Sequence, residues 1–190
     1  MTQVSIVYHS GYGHTAEQAK AVARGAQKVE GVTVNLLTVD EAQQQWELLK
    51  ASDAIIFGSP TYMGSASGQF KTFMDASSKA WYTRDWKDKI AAGFTTSASQ
   101  SGDKLSTLIQ LAVFAAQHGM IWVGQDLLPG NNNSNGSVND LNRLGSFLGA
   151  MAQANADQGP DLAPIQSDLL TAEHLGERVA TVAQRFTKAA

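Results

Sequence analysis

With 190 residues, 14 basic against 17 acidic side chains and a formal charge of -3, the chain is close to neutral and has no basic run or stripe. That balance excludes the electrostatic footprint of a nucleic-acid binder, and the length suits one domain, residues 1–190, with a sizeable core and no Pro/Ser-rich linker. The absence of cysteine excludes disulfide and thiolate chemistry, the four scattered histidines lack metal-ligand spacing, and neither a secretory signal nor an apolar run of ~20 residues is present, so a cytoplasmic protein with no membrane span is expected.

In chain order, the apolar run Val4 to Tyr8 predicts a buried strand. Ala16 to Val29 predicts a helix with Ala19, Val22, Ala23 and Ala26 on one face. Between them stands Ser10-Gly11-Tyr12-Gly13-His14-Thr15, a turn from the carboxyl end of a strand to the amino end of a helix. Free backbone N–H groups and the positive end of the helix dipole meet there, an arrangement that binds phosphate. Gly11-x-Gly13-x-x-Ala16 matches the dinucleotide pattern, with Asp40 near the end of the next strand-like run, Val32 to Val39. A terminal monophosphate would instead profit from the hydroxyls of Ser10 and Thr15 and the imidazole of His14. The plain alternative is a strand–helix turn with an ordinary N-cap.

Ala54 to Phe57 predicts a strand covered on both faces, Phe70 to Lys79 a helix, and Ile90 to Thr96 the next strand. Asp103 to Gln117 predicts a helix whose apolar face is Leu105, Leu108, Ile109, Ala112, Val113 and Ala116. Met120 to Val123 reads as a fifth strand, and after a long polar excursion Ala172 to Thr187 reads as a closing helix. Five strands alternating with helices imply an α/β fold, a doubly wound five-stranded parallel sheet with helices on both faces. Right-handed crossovers gather the strand-to-helix loops at the carboxyl edge of that sheet, where ligands bind.

Three loops meet at that edge: the phosphate turn, Gly58 to Ser65, and Thr95 to Gly102. The second and third are rich in small residues whose backbone edges can hold a flat heteroaromatic ring, with Tyr62, Met63 and Trp81 covering its faces. Such loops are often plain turns. A planar ring joined by a polyol to one terminal phosphate describes FMN.

On these motifs the chain resembles the flavodoxin-like NAD(P)H:quinone oxidoreductases, the tryptophan-repressor-binding-protein family, over nearly its whole length. The resemblance rests on Ser10-x-Tyr12-Gly13-His14-Thr15 and on Gly58-Ser59-Pro60-Thr61-x-x-Gly64, with Lys71 in the following helix. It implies that Ser10, Gly11, Tyr12, Gly13, His14 and Thr15 hold the FMN phosphate. It further implies that Pro60, Thr61, Tyr62, Met63 and Gly64 border the ring, with Thr96, Ser97, Ala98, Ser99, Gln100 and Ser101 at its other side. Tyr12, Trp81 and His118 are then the expected substrate contacts, for NAD(P)H and a quinone in turn, with no catalytic acid or base required. Two departures stand out. The third loop, Ser97 to Gly102, is not glycine-rich as in the family, and the family's paired histidines are here Gln117-His118. For His118 the other reading is a helix-terminal histidine set against the dipole.

Several other readings follow from the sequence. Pro129 to Asn139 is either a solvated asparagine-rich loop or a flap over the flavin edge. Leu141, Leu144, Phe147, Leu148 and Met151 stud the same excursion, and an uncovered apolar patch implies a homodimer or homotetramer. Trp46 and Trp122 are expected to pack rather than bind. The rival in function is a flavodoxin-type electron carrier, for which the near-neutral charge is unusual. A phospho-receiver of the same topology would need carboxylates where Ser10 and Ser59 stand.

Overall fold

In the computed structural model, which describes residues 1–188, strands and helices alternate from the first residues onward. They are β1 (Thr2–Tyr8), α1 (His14–Gln27), β2 (Val32–Thr38), α2 (Val39–Ala42), α3 (Trp46–Ala51), β3 (Ala54–Tyr62), β4 (Ser65–Ala66), α4 (Gly68–Ala76) and α5 (Ser78–Tyr82). Then follow β5 (Ile90–Ser97), α6 (Lys104–Gln117), β6 (Ile121–Trp122), β7 (Ala150–Gln153) and α7 (Gln166–Lys188). The parallel sheet runs β2-β1-β3-β5-β6, so its order reverses between β1 and β3. That is the flavodoxin-like doubly wound arrangement, with the crevice at the reversal. Among the described residues no helix is long and apolar enough to cross a membrane.

The fifth strand departs from expectation. Only Ile121 and Trp122 pair with Ile90 and Ala91, and the rest of the position is filled by β7, which pairs with Phe94 to Ser97. Residues 123–149 are thus an insertion into one strand position, and the expected strand Met120 to Val123 is its first half. The expected helix Phe70 to Lys79 is two helices that meet at Ser77, whose hydroxyl donates to Met74 O. β3 runs on through Pro60 because β1 ends opposite Gly58, leaving one side of β3 without a neighbouring strand there.

Each face of the sheet has its own core. On one, α1 and α7 pack against Val4, Ile6, Ile56, Ala92 and Phe94. The helices cross where Gly25 meets Glu173 and Gly176 meets Val22. A Cβ at Gly25 would lie 1.7 Å from Glu173 O, and one at Gly176 1.9 Å from Val22 O, so both positions require glycine for the close approach. On the other face the aromatic rings of Phe57, Phe70, Phe73, Trp86 and Phe114 interlock, with Phe57 and Phe114 centroids 5.2 Å apart. Burial of each such side chain contributes about 1.5–3 kcal/mol. Trp46 stacks on Phe73 and Trp122 donates from Nε1 to Leu148 O, so both tryptophans pack as expected.

α6 corrects the predicted core face. Leu108, Leu111, Phe114 and Ala115 are buried, whereas Leu105, Ile109 and Val113 are 53%, 47% and 55% exposed. This helix is apolar around most of its circumference, so periodicity alone selected a mixture of the two faces. Between Leu105 and Gln117 it carries no charge at all.

Candidate functional site

The turn between β1 and α1 is shaped by Gly13, which takes φ 92° and precedes the helix without any side-chain cap. A Cβ there would also lie 2.8 Å from Pro160, so left-handed backbone and close approach both demand glycine. Ser10 Oγ accepts from the Gly13 and Ala16 N–H groups, each at 3.1 Å. Ser10 thereby folds the turn, and its own O–H is the donor it has left to offer. The N–H groups of Tyr12, His14 and Thr15 find no acceptor within the chain among the described residues. Three uncommitted donors at a helix amino end, beside the buried Thr15, are what a phosphate dianion requires. His14 is committed elsewhere: its Nε2 lies 2.8 Å from Gln158 O and ties α1 to the loop after β7.

Next to this turn opens a cavity of about 630 Å³ lined by Tyr12, His14, Thr15, Pro60, Thr61, Tyr62, Thr96, Ser97, Ala98, Ala154, Ala156, Gln158 and Gly159. Its floor is braced by hydroxyls. Thr61 Oγ1 lies 2.7 Å from Thr95 Oγ1 and 2.8 Å from Thr107 Oγ1, and Thr96 donates to Gln18 Oε1 at 2.6 Å. The base of the second loop is pinned by Ser67 Oγ, 2.8 Å from His9 Nδ1, and burial pushes the His9 pKa down. Small residues and backbone edges on two opposed walls, with the donor-rich turn at one end, fit FMN as a ring-plus-monophosphate ligand.

Tyr12 and Tyr62 stand at the mouth, 76% and 37% exposed, their rings edge to face with centroids 6.2 Å apart. Burial first, and the neighbouring Tyr12 second, push the Tyr62 pKa up, so its phenol is neutral at physiological pH. Met63 and Gly64, at φ 49° and 73°, form the two-residue turn of the β3–β4 hairpin. This turn puts the Met63 side chain in solvent, and neither residue lies on the cavity wall.

Several expected site residues lie elsewhere. Ser99, Gln100 and Ser101 turn away from the wall, and the Ser99 and Gln100 carbonyls are held by Lys104 Nζ at 2.7 and 2.9 Å. Trp81 belongs to α5, which leads toward the start of β5 at the opposite edge of the sheet. His118 caps the far end of α6, beside Arg84, whose Nη1 donates to Gln117 O at 3.2 Å. His118 is a core residue: 2% exposed, 4.2 Å between its ring centroid and that of Trp86, and 2.9 Å from Ser77 Oγ. Burial lowers its pKa to about 4. Within one chain, neither Trp81 nor His118 reaches the cavity. The asparagine-rich segment is likewise absent from the cavity wall.

The wall contributed by Ala154, Ala156, Gln158 and Gly159 was not legible as a site. Its only signal is the Gly159-Pro160 turn that follows a strand lacking β-branched residues. The apolar excursion does form a surface: Leu144, Phe147, Leu148 and Met151, with Leu105 and Ile109 of α6, line a groove of about 1290 Å³.

Comparison with known proteins adds an independent line of evidence. Residues 10–133 match the family model described as NADPH-dependent FMN reductase. The chain is 41% identical over 190 residues to a Pseudomonas aeruginosa protein named flavodoxin FldP, covering 98% of this chain and 99% of the relative. It is 33% identical over 208 residues to an NAD(P)H dehydrogenase (quinone) of Archaeoglobus fulgidus, covering 98% of this chain and all of the relative, 100%. Among solved structures, a flavodoxin, WrbA-like protein from Agrobacterium tumefaciens superposes with a TM-score of 0.74 at 41% identity, covering 97% and 99% of the two chains.

Proposed function

The chain belongs to the NADPH-dependent FMN reductase family, and from that membership we propose that it carries electrons from NAD(P)H to a quinone. It is an FMN-dependent oxidoreductase of the flavodoxin-like class. The observation that carries the site assignment is the trio of uncommitted N–H donors at Tyr12, His14 and Thr15, opening onto a cavity walled by the other two loops. FMN held there would supply two-electron chemistry between a nicotinamide and the acceptor.

The chain's own residues bind and orient. Ser10 shapes the turn, Thr15 adds a hydroxyl to its N–H groups, and the walls Pro60–Tyr62 and Thr96–Ala98 would border the ring. Tyr12 and Tyr62 leave one side of the mouth open, so nicotinamide and quinone use the same space in succession, which makes the kinetics ping-pong. No titrating side chain is needed at the reacting atoms, because near-attack placement lowers the barrier.

The protein acts as a single domain in the cytoplasm and assembles as a homodimer or homotetramer. Assembly is supported by the uncharged stripe Leu105, Ile109 and Val113 and the adjoining groove, an apolar surface that a second copy would cover. Initial rates with NADPH and benzoquinone test the reading: parallel double-reciprocal lines are expected, and intersecting lines contradict the shared pocket. A second reading, a flavodoxin-type carrier, is favoured by the name of the relative at 41% identity. It predicts no quinone turnover unless a separate reductase is added, and the formal charge of -3 gives little electrostatic basis for docking one.

A further inference from the structure

Behind the third loop lies a charged group that touches neither the phosphate turn nor the cavity. Lys104, the first residue of α6, has no solvent exposure. Its ammonium spends all three N–H donors on the loop: Ser97 Oγ at 2.8 Å, Ser99 O at 2.7 Å and Gln100 O at 2.9 Å. No carboxylate pairs with it among the described residues. Asp168, the acidic group that acts on it electrostatically, is already matched by Arg143, whose Nε and Nη2 reach its two oxygens at 2.8 Å each. Asp168 also accepts from the Gln153 N–H at 2.8 Å. Lys104, Arg143 and Asp168 together therefore leave one positive charge uncompensated under the loop.

A buried unpaired cation is costly, and burial pushes the Lys104 pKa down to about 8. The charge faces one direction of interest. Ser97 lines the cavity, and its Oγ accepts from Nζ while its O–H donates to Ser99 O at 3.0 Å, so the ammonium sits directly behind that residue of the wall. The Ser99 and Gln100 carbonyls point at Nζ, and peptide planarity turns the N–H groups of Gln100 and Ser101 the other way. Those N–H groups find no acceptor in the chain among the described residues. The cation thus places positive potential behind the Ser97 part of the wall, while Gln100 and Ser101 themselves face the neighbouring groove.

We infer that Lys104 is a positioning residue for the redox chemistry: its buried ammonium, held behind Ser97 of the cavity wall, supplies the counter-charge for negative charge that accumulates on the ring end of the cofactor on reduction. This rests on the FMN reading and adds to it a residue that touches no ligand. Electrostatic stabilisation of developing charge by a fixed, water-excluded group needs no reorganisation.

The test uses Lys104→Gln, which keeps two donors for the loop and removes the charge, and Lys104→Met, which removes both. For each FMN-loaded protein the two-electron midpoint potential is measured alongside the affinity for oxidised FMN and the unfolding temperature. Both variants should lose about tenfold more affinity for reduced than for oxidised FMN, a midpoint lower by about 30 mV. A merely structural lysine would weaken both redox forms alike and leave the midpoint where it was. An unmoved midpoint in folded, FMN-bound Lys104→Gln overturns the inference, and that variant decides the matter if Lys104→Met fails to fold. A parent protein that binds no FMN would overturn the underlying reading as well, a distinguishable result.

Discussion

Acid sensitivity of the fold should trace in large part to one histidine. His118 is neutral in the native state because burial lowers its pKa, and since Ser77 Oγ donates to Met74 O, the ring is the Nε2–H tautomer that donates to Ser77. Its Nδ1 is buried without a partner, and the ring packs on Trp86 and Phe114. Burial, with a smaller contribution from Arg84, holds its pKa at about 4 against an ordinary 6.5. The unfolded chain therefore takes up a proton on this residue between those values while the native chain does not. Stability is full above about pH 6.5 and is lost as the pH falls toward 4, by about 3 kcal/mol at about 1.36 kcal/mol per pH unit. His118→Phe keeps the aromatic packing and removes the titration; Ser77 keeps its Met74 acceptor. Urea unfolding at neutral pH and near pH 4 checks this. The parent should lose about 3 kcal/mol more than the variant across that interval. Equal losses in the two proteins would refute the reasoning.

Three further outcomes follow from the packing and the site. Gly25→Ala should cost about 3 kcal/mol by urea unfolding because its Cβ meets the α7 backbone, whereas Gly68→Ala, with open space around it, should change stability by less than about 1 kcal/mol. Replacing Ser10 and Thr15 together by alanine should weaken FMN binding by about 2–4 kcal/mol in a fluorescence titration, with FMN preferred over FAD in the parent. Affinity for FMN unchanged by the double substitution would remove the phosphate assignment. Under the proposed homo-oligomer, Ile109→Asp, on the exposed stripe of α6, should give a monomer by light scattering while the circular dichroism spectrum stays the same, and an unchanged mass would remove the proposed interface.

Much of the architecture was legible because buried parallel strands are continuous apolar runs: Val4 to Tyr8, Ala54 to Phe57 and Ile90 to Thr96 all lie in the sheet. The α1 face was legible for a similar reason, since Ala19, Val22, Ala23 and Ala26 are separated cleanly from charged neighbours and all are buried. α6 lacked that contrast, so its buried and exposed faces could not be told apart. β7 was hidden because Ala150-Met151-Ala152-Gln153 has no β-branched residue and follows a long insertion. At the site, the glycine turn and the Pro60–Tyr62 wall announce themselves through residue types that backbone geometry demands. Trp81 and His118 do not, because their distance from the cavity is decided by which sheet edge their helices reach. Lys104 carries no distinguishing signal in the sequence, and only the folded loop shows that its ammonium is enclosed.

The most direct measurement is anaerobic mixing of the FMN-loaded protein with NADPH, followed by benzoquinone, with flavin absorbance recorded throughout. NADPH alone should bleach the bound flavin at least as fast as steady-state turnover, and the quinone should restore the oxidised spectrum in one two-electron step. Flavin that stays oxidised with both NADPH and NADH, yet is reduced readily once a separate flavodoxin reductase is supplied, would contradict the enzyme reading and establish the chain as a carrier.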